Sequence, residues 1–165
     1  MTQPITQEQI AEAARQFVND YTTLGELKGI SHEELEAVYS LGFTHYRTGR
    51  YEDASKLFQF LVLFDHLNAK YWLALGAVQQ VAKDYRGAIA SYGYASFLDL
   101  ENPKPQLHAA ECFLALGDKQ NAASALMALD EYCSKDSETG REYRAKAAAL
   151  RKQIGEEAFA DEKTA

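Results

Sequence analysis

Residues 69–102 read "AKYWLALGAVQQVAKDYRGAIASYGYASFLDLEN", and a related pattern stands 34 residues earlier and 34 later. Residues 35–68 are "LEAVYSLGFTHYRTGRYEDASKLFQFLVLFDHLN" and residues 103–136 are "PKPQLHAAECFLALGDKQNAASALMALDEYCSKD". Stacked without a gap, the rows put Leu41, Leu75 and Ala109 in one column and Gly42, Gly76 and Ala110 in the next. Ala54, Ala88 and Ala122 share a column, as do Phe58, Tyr92 and Leu126. Gly49 and Gly117 mark a turn that Lys83 occupies in the middle row, and Val38, Trp72 and Gln106 fill an anchor position. Self-similarity at this period marks an array whose units bury their apolar faces only against one another.

These columns resemble the tetratricopeptide repeat, with Trp72, Leu75, Gly76, Ala88 and Tyr92 the best match to its pattern. The expected fold is all-α: three tandem repeats at 35–68, 69–102 and 103–136, each a pair of antiparallel helices. The small residues Gly42, Gly76 and Ala110 let paired helices approach, and Ala54, Ala88 and Ala122 do the same from the second helix. Phe58, Tyr92 and Leu126 are then expected between neighbouring repeats. Ser31-x-x-Glu34 is a capping box opening the array, and Asn102-Pro103 places a cap before a proline at the first helical position. A helix over about 7–20, with Ile10, Ala13, Ala14, Phe17 and Val18 on one face, is expected within an N-terminal segment 1–30. Residues 137–165 read as a polar capping helix, roughly 138–158, and a tail.

A chain of 165 residues with 47% hydrophobic and 25% charged residues can bury a core and is not wholly disordered. Its net charge of −7 argues against nucleic acid and anionic membrane surfaces as partners. Cys112 and Cys133 form no metal or disulfide spacing pattern, and the N-terminus shows no basic start followed by an apolar run. The expectation is a cytosolic protein. The run "LFQFLVLF" at 57–64 is too short to cross a membrane and reads as a helix covered on nearly all sides.

Chemistry is sparse. No glycine-rich phosphate loop, G-x-S-x-G or H-E-x-x-H is present. His108, Glu111 and Cys112, spaced to share a helix face, are the nearest approach to a metal or catalytic cluster; an inward-packed Cys112 is the plainer reading. No cofactor is expected.

Binding is better signalled. In a stack of helical hairpins the first helices line a concave groove, at positions 2, 5, 9 and 12 of each repeat. These are Glu36, Tyr39, Phe43 and Tyr46, then Lys70, Leu73, Ala77 and Gln80, then Lys104, Leu107, Glu111 and Leu114. The Lys and Asn clamp with which many such domains grip a peptide's C-terminal carboxylate is missing at positions 5 and 9. An aromatic wall and aliphatic sockets suit an extended, apolar, proline-containing peptide instead. The candidate peptide-binding residues are Tyr39, Phe43, Tyr46, Leu73, Ala77, Gln80, Leu107, Glu111 and Leu114.

Longer stretches carry a sharper likeness. "ELEAVYSLGFTHYRTGRYEDASKLFQFLVLFDHLNAKYWLALGA", "SYGYASFLDLENPKPQLHAAECFLALGD" and "TTLGELKGIS" together resemble the class II chaperones of bacterial type III secretion, over about residues 8–130. That resemblance implies a groove holding a Pro-x-Leu-x-x-Pro-like segment of a hydrophobic translocator protein before export, with Tyr39, Phe43 and Tyr46 as groove aromatics. It also implies a homodimer built through the N-terminal segment. The chain departs from the family at Asp20-Tyr21, where Gly-Gly is common, at Lys83 and at Gln106. The alternative is a general repeat scaffold joining two folded proteins.

Overall fold

Gly49, Lys83 and Gly117 all lie in the left-handed region, at φ of 78°, 64° and 79°. Each closes a first helix in the same way. Gly49 N–H donates to Tyr46 O at 3.1 Å and Arg50 N–H to His45 O at 2.9 Å. Lys83 N–H to Gln80 O and Asp84 N–H to Gln79 O repeat the pair at 3.0 and 2.9 Å, as do Gly117 to Leu114 and Asp118 to Phe113. This reverse turn satisfies carbonyls that the helix end leaves over, and it favours glycine. Lys83 adopts it at a cost of roughly 1 kcal/mol for its Cβ.

The computed structural model describes residues 22–132 and 138–155. Eight helices and no strand occur among them: α1 Leu24–Lys28, α2 His32–Arg47, α3 Tyr51–Phe64, α4 Ala69–Val81, α5 Tyr85–Leu98, α6 Pro103–Ala115, α7 Lys119–Tyr132 and α8 Glu138–Ile154. The expected helix over 7–20 and the tail beyond Gly155 lie outside the described residues.

Local chemistry sets the helix starts. Ser31 Oγ accepts from Glu34 N–H at 3.2 Å while Glu34 reaches back to Ser31 N–H at 2.8 Å. Asn68 and Asn102 cap α4 and α6, accepting from Lys70 and Lys104 N–H. The helix α1 went unread in the sequence. Its signal is Thr23-x-x-Glu26, a second capping box closed by Gly29.

Helices pair as α2 with α3, α4 with α5 and α6 with α7, and successive pairs stack. The alanine column sets the spacing: Ala54, Ala88 and Ala122 are fully buried. Against the glycine column lie rings. A Cβ on Gly42 would stand 2.8 Å from the Phe58 ring, and one on Gly76 only 2.6 Å from Tyr92. So Phe58 and Tyr92 pack within their own hairpin, on the glycine, as well as towards the next. Phe58 shares a core with Tyr71, Leu75 and Val78, and Tyr92 one with Ala109 and Cys112.

The last hairpin has no following repeat, and α8 takes that place. Ala147 and Ile154 of α8 bury with Leu107, Ala110, Ala122, Leu126 and Leu129. Arg151 fixes the docking by donating to Leu126 O at 3.1 Å and to Asp130 at 2.5 Å.

Candidate functional site: a groove along the first helices

Helices α2, α4 and α6 lie side by side, and their exposed faces form one groove with two connected halves. The first half, a cavity of about 200 Å³, is lined by Tyr39, Phe43, Tyr46, Lys70, Leu73, Ala74, Ala77 and His108, over a floor of Phe58. The second, about 530 Å³, is lined by Tyr46, Ala77, Gln80, Val81, Tyr85, Tyr92, His108, Glu111 and Ala115. Tyr46, Ala77 and His108 belong to both halves.

The aromatic wall is partly structural and partly free. Tyr39 stacks on Phe43 with ring centroids 6.3 Å apart and also contacts Phe58 and Tyr71, at 5.9 and 5.8 Å. It is therefore woven into the core, and burial first, then the Glu36 charge, raises its phenol pKa. Phe43 is 45% exposed. Neither the Tyr39 nor the Tyr46 hydroxyl has a hydrogen-bond partner among the described residues, although both rings are half-buried. Phenol groups so placed offer donors and acceptors to a backbone laid across them.

Two polar links tie the repeats together beside the groove. Glu36 accepts from Lys70 Nζ at 2.5 Å and from Tyr71 Oη at 2.9 Å, and the same ammonium lies 4.3 Å from the Tyr39 ring centroid. Further along, Tyr92 Oη donates to Gln80 Oε1 at 2.7 Å, Gln80 Nε2 donates to Glu111 Oε2 at 3.0 Å, and His108 Nδ1 meets the same oxygen at 3.0 Å. The Lys70 hydrogen bond holds Glu36 below the usual carboxylate range, and the His108 hydrogen bond does so for Glu111.

A stability consequence follows by linkage. Groups whose folded pKa is depressed contribute stability that is fully present above their ordinary value, near 4.5, and is lost as pH falls through the lower folded value. Acidification into that window is expected to lower the melting temperature of the wild type. The Glu36→Gln/Glu111→Gln variant should show a flatter profile between pH 6 and 3 when followed by circular dichroism. Parallel profiles would show that these two carboxylates are not differentially stabilised.

Seven of the nine candidate residues line the groove: Tyr39, Phe43, Tyr46, Leu73, Ala77, Gln80 and Glu111. Leu107 and Leu114 require correction. Leu107 is 3% exposed in the core that α8 completes, and Leu114 packs against that core from its margin. The capping helix packs on this side of α6, burying Leu107 with Ala147 and Ile154. His108, next in sequence to Leu107, projects into the groove in its place. Sequence reasoning also missed Ala74, Val81, Tyr85 and Ala115. Tyr85 opens α5 rather than lying on a first helix, so a census of first helices could not find it.

Cys112 does not converge with His108 and Glu111. It is fully buried beside Ala88, Tyr92 and Ala109, and burial, assisted by the Glu111 charge, pushes its thiol up to about 12. No group of three or more His, Cys, Asp or Glu side chains suited to a metal occurs among the described residues. In a Cys133→Ser background, Ellman's reagent at pH 8 is expected to titrate no thiol in the native protein and one in guanidinium. Rapid reaction of the native variant would show that Cys112 is accessible.

Outside the groove lining, Leu63 and Phe97 are 62% and 78% exposed, and Phe60–Phe64 and Trp72–Tyr94 form stacked pairs. The run "LFQFLVLF" thus buries Phe58 and Leu61 and leaves Phe60 and Leu63 outward. No helix among the described residues is long and apolar enough to cross a membrane.

Three stacked helical hairpins, a capping helix and a groove along the first helices define a tetratricopeptide-repeat protein. No family-level sequence model matches the chain. The low calcium response locus protein H of Yersinia pestis is 39% identical over 126 residues, covering 76% of this chain and 75% of that protein. A type III secretion complex from Aeromonas hydrophila superposes with a TM-score of 0.81 at 35% identity, covering 87% of this chain and 95% of that one. The Yersinia enterocolitica type III secretion chaperone SycD, solved with a peptide of the translocator YopD, gives 0.71 at 38% identity, over 76% and 95% of the two chains. The chain belongs to the family of type III secretion translocator chaperones.

Proposed function

We propose that this protein is a non-enzymatic cytosolic chaperone that forms a homodimer. It holds an extended, apolar, proline-containing segment of a translocator protein in the groove of α2, α4 and α6. Occupying that segment keeps the client soluble and unassembled until export. The observation that carries the reading is the groove wall itself. Phe43 is exposed, and the Tyr39 and Tyr46 hydroxyls lack partners on half-buried rings, which leaves both apolar area and hydrogen-bonding capacity for a peptide backbone. Three apolar anchors at about 1.5–3 kcal/mol each, less the cost of ordering the peptide, correspond to affinity on the order of micromolar.

The test is fluorescence anisotropy of a labelled Pro-x-Leu-x-x-Pro peptide against wild type and Phe43→Ala/Tyr46→Ala. These two residues are chosen because Tyr39 also supports the core. Micromolar binding to the wild type and its loss in a variant with an unchanged circular dichroism spectrum is the expected result. Equal binding to both proteins would remove the client from the groove. The exposed apolar face around Leu63 and Phe97 supports the second reading, a scaffold for a folded partner, and that reading predicts this equality.

A further inference from the structure

The two halves of the groove differ in charge as well as in polarity. At the apolar half Lys70, the one lysine or arginine among the described lining residues, is already paired with Glu36. At the other half Glu111 presents a carboxylate whose neighbours fix its orientation. Tyr92 Oη donates to the amide oxygen of Gln80, which turns the amide nitrogen towards Glu111. A carboxylate only accepts, so His108 Nδ1 carries a proton and donates to it. Both donors share Oε2, and among the described residues Oε1 has no hydrogen-bond partner. The nearby cation of α8, Lys146, is engaged with Glu142 at 2.6 Å.

A peptide laid in the groove would cover this half-exposed carboxylate. A purely apolar segment would take water from Oε1 and return nothing, which is costly for an ionised group. A neutral donor would return a hydrogen bond and leave the charge uncompensated. An ammonium or guanidinium returns both. The second half of the groove, about 530 Å³, has room for a long side chain. The net charge of −7 favours the approach of a basic segment at long range.

We propose that Glu111 is a specificity-determining residue that accepts the cationic group of a lysine or arginine lying within a few residues of the client's apolar anchor. The groove then selects an apolar-plus-basic segment over one that is apolar throughout. This rests on the groove reading above. Gln80, Tyr92 and His108 are positioning residues that hold the carboxylate.

The experiment uses labelled Pro-x-Leu-x-x-Pro peptides in which lysine, norleucine or glutamine is placed in turn at each x. They are titrated by anisotropy against the wild-type protein and Glu111→Gln, at low and high salt. Glutamine at 111 can still accept from Gln80 and His108, so the variant removes charge while keeping the relay. At one position lysine is expected to bind about tenfold tighter than norleucine or glutamine. That advantage should shrink with salt and fall below about twofold in Glu111→Gln. Lysine binding no tighter than norleucine at every position of the wild-type scan would overturn the proposal without recourse to the variant. So would an advantage that survives in Glu111→Gln. If all peptides bind the wild type alike and lose binding in Phe43→Ala/Tyr46→Ala, the groove stands and the basic subsite falls. If none binds the wild type, both fall.

Discussion

Gly76→Val is expected to destabilise the protein by about 3 kcal/mol or more, which at this chain length lowers the melting temperature by roughly 6–12 °C. A Cβ at this position would meet three atoms of the Tyr92 ring at 2.6, 2.7 and 3.0 Å, closer than any relaxed contact. Moving the ring breaks the contacts that hold it. It is 1% exposed, packs against Ala109 and Cys112, and its hydroxyl donates to Gln80. Displacing it therefore disturbs the junction of the second and third repeats as well as the α4–α5 hairpin. Helix propensity does not explain the expected loss, and a second glycine separates the two effects. Gly93, in the middle of α5, has no packing neighbour within 4 Å of where its Cβ would stand. Gly93→Ala should accordingly stabilise, by about 0.5–1 kcal/mol. Thermal and urea denaturation of the two variants decide the matter. A Gly76→Val protein as stable as the wild type would mean that the helices are not in the close contact described.

The largest functional loss is expected from Ala77→Glu. Ala77 lines both halves of the groove and touches the passage between them, so any longer side chain there obstructs a continuous peptide. A carboxylate adds a charge that a bound apolar segment would have to desolvate. Together these should weaken peptide binding by about 100-fold, or roughly 2.7 kcal/mol. The fold should tolerate the change. Ala77 is only half-buried, it lies within α4, and glutamate is a good helix former. The melting temperature should therefore stay within about 2 °C of the wild type. Anisotropy and circular dichroism on the same preparation give both quantities. Unchanged binding in the folded variant would place the peptide elsewhere and favour the exposed apolar residues around Leu63 and Phe97.

Much of this was legible from one chain of letters because the array repeats itself. Helix ends are written locally: Ser31 with Glu34, Asn102 before Pro103, and a turn after each first helix. Residues that must be small are also written locally, since Gly42, Gly76 and the alanine column recur at one period. Lys83 shows that such a column records a backbone conformation rather than a residue type. The chain turns left-handed there without glycine, held by the same two hydrogen bonds as its glycine counterparts.

What the period determined, then, was the class of fold, the pairing of helices and the face of each first helix that looks into the groove. What only the tertiary structure decided was which of those positions stay open. Leu107 and Leu114 occupy groove positions by register, yet α8 closes over their side of α6, and His108 takes up the place beside Tyr46 and Ala77. The spacing already put His108 beside Glu111, but only the packed structure adds Gln80, held in turn by Tyr92, to the same carboxylate. Periodicity is a property of one helix and its repeat. Exposure at the end of an array depends on whatever packs there last, and that contact is made by a segment with no counterpart among the repeats.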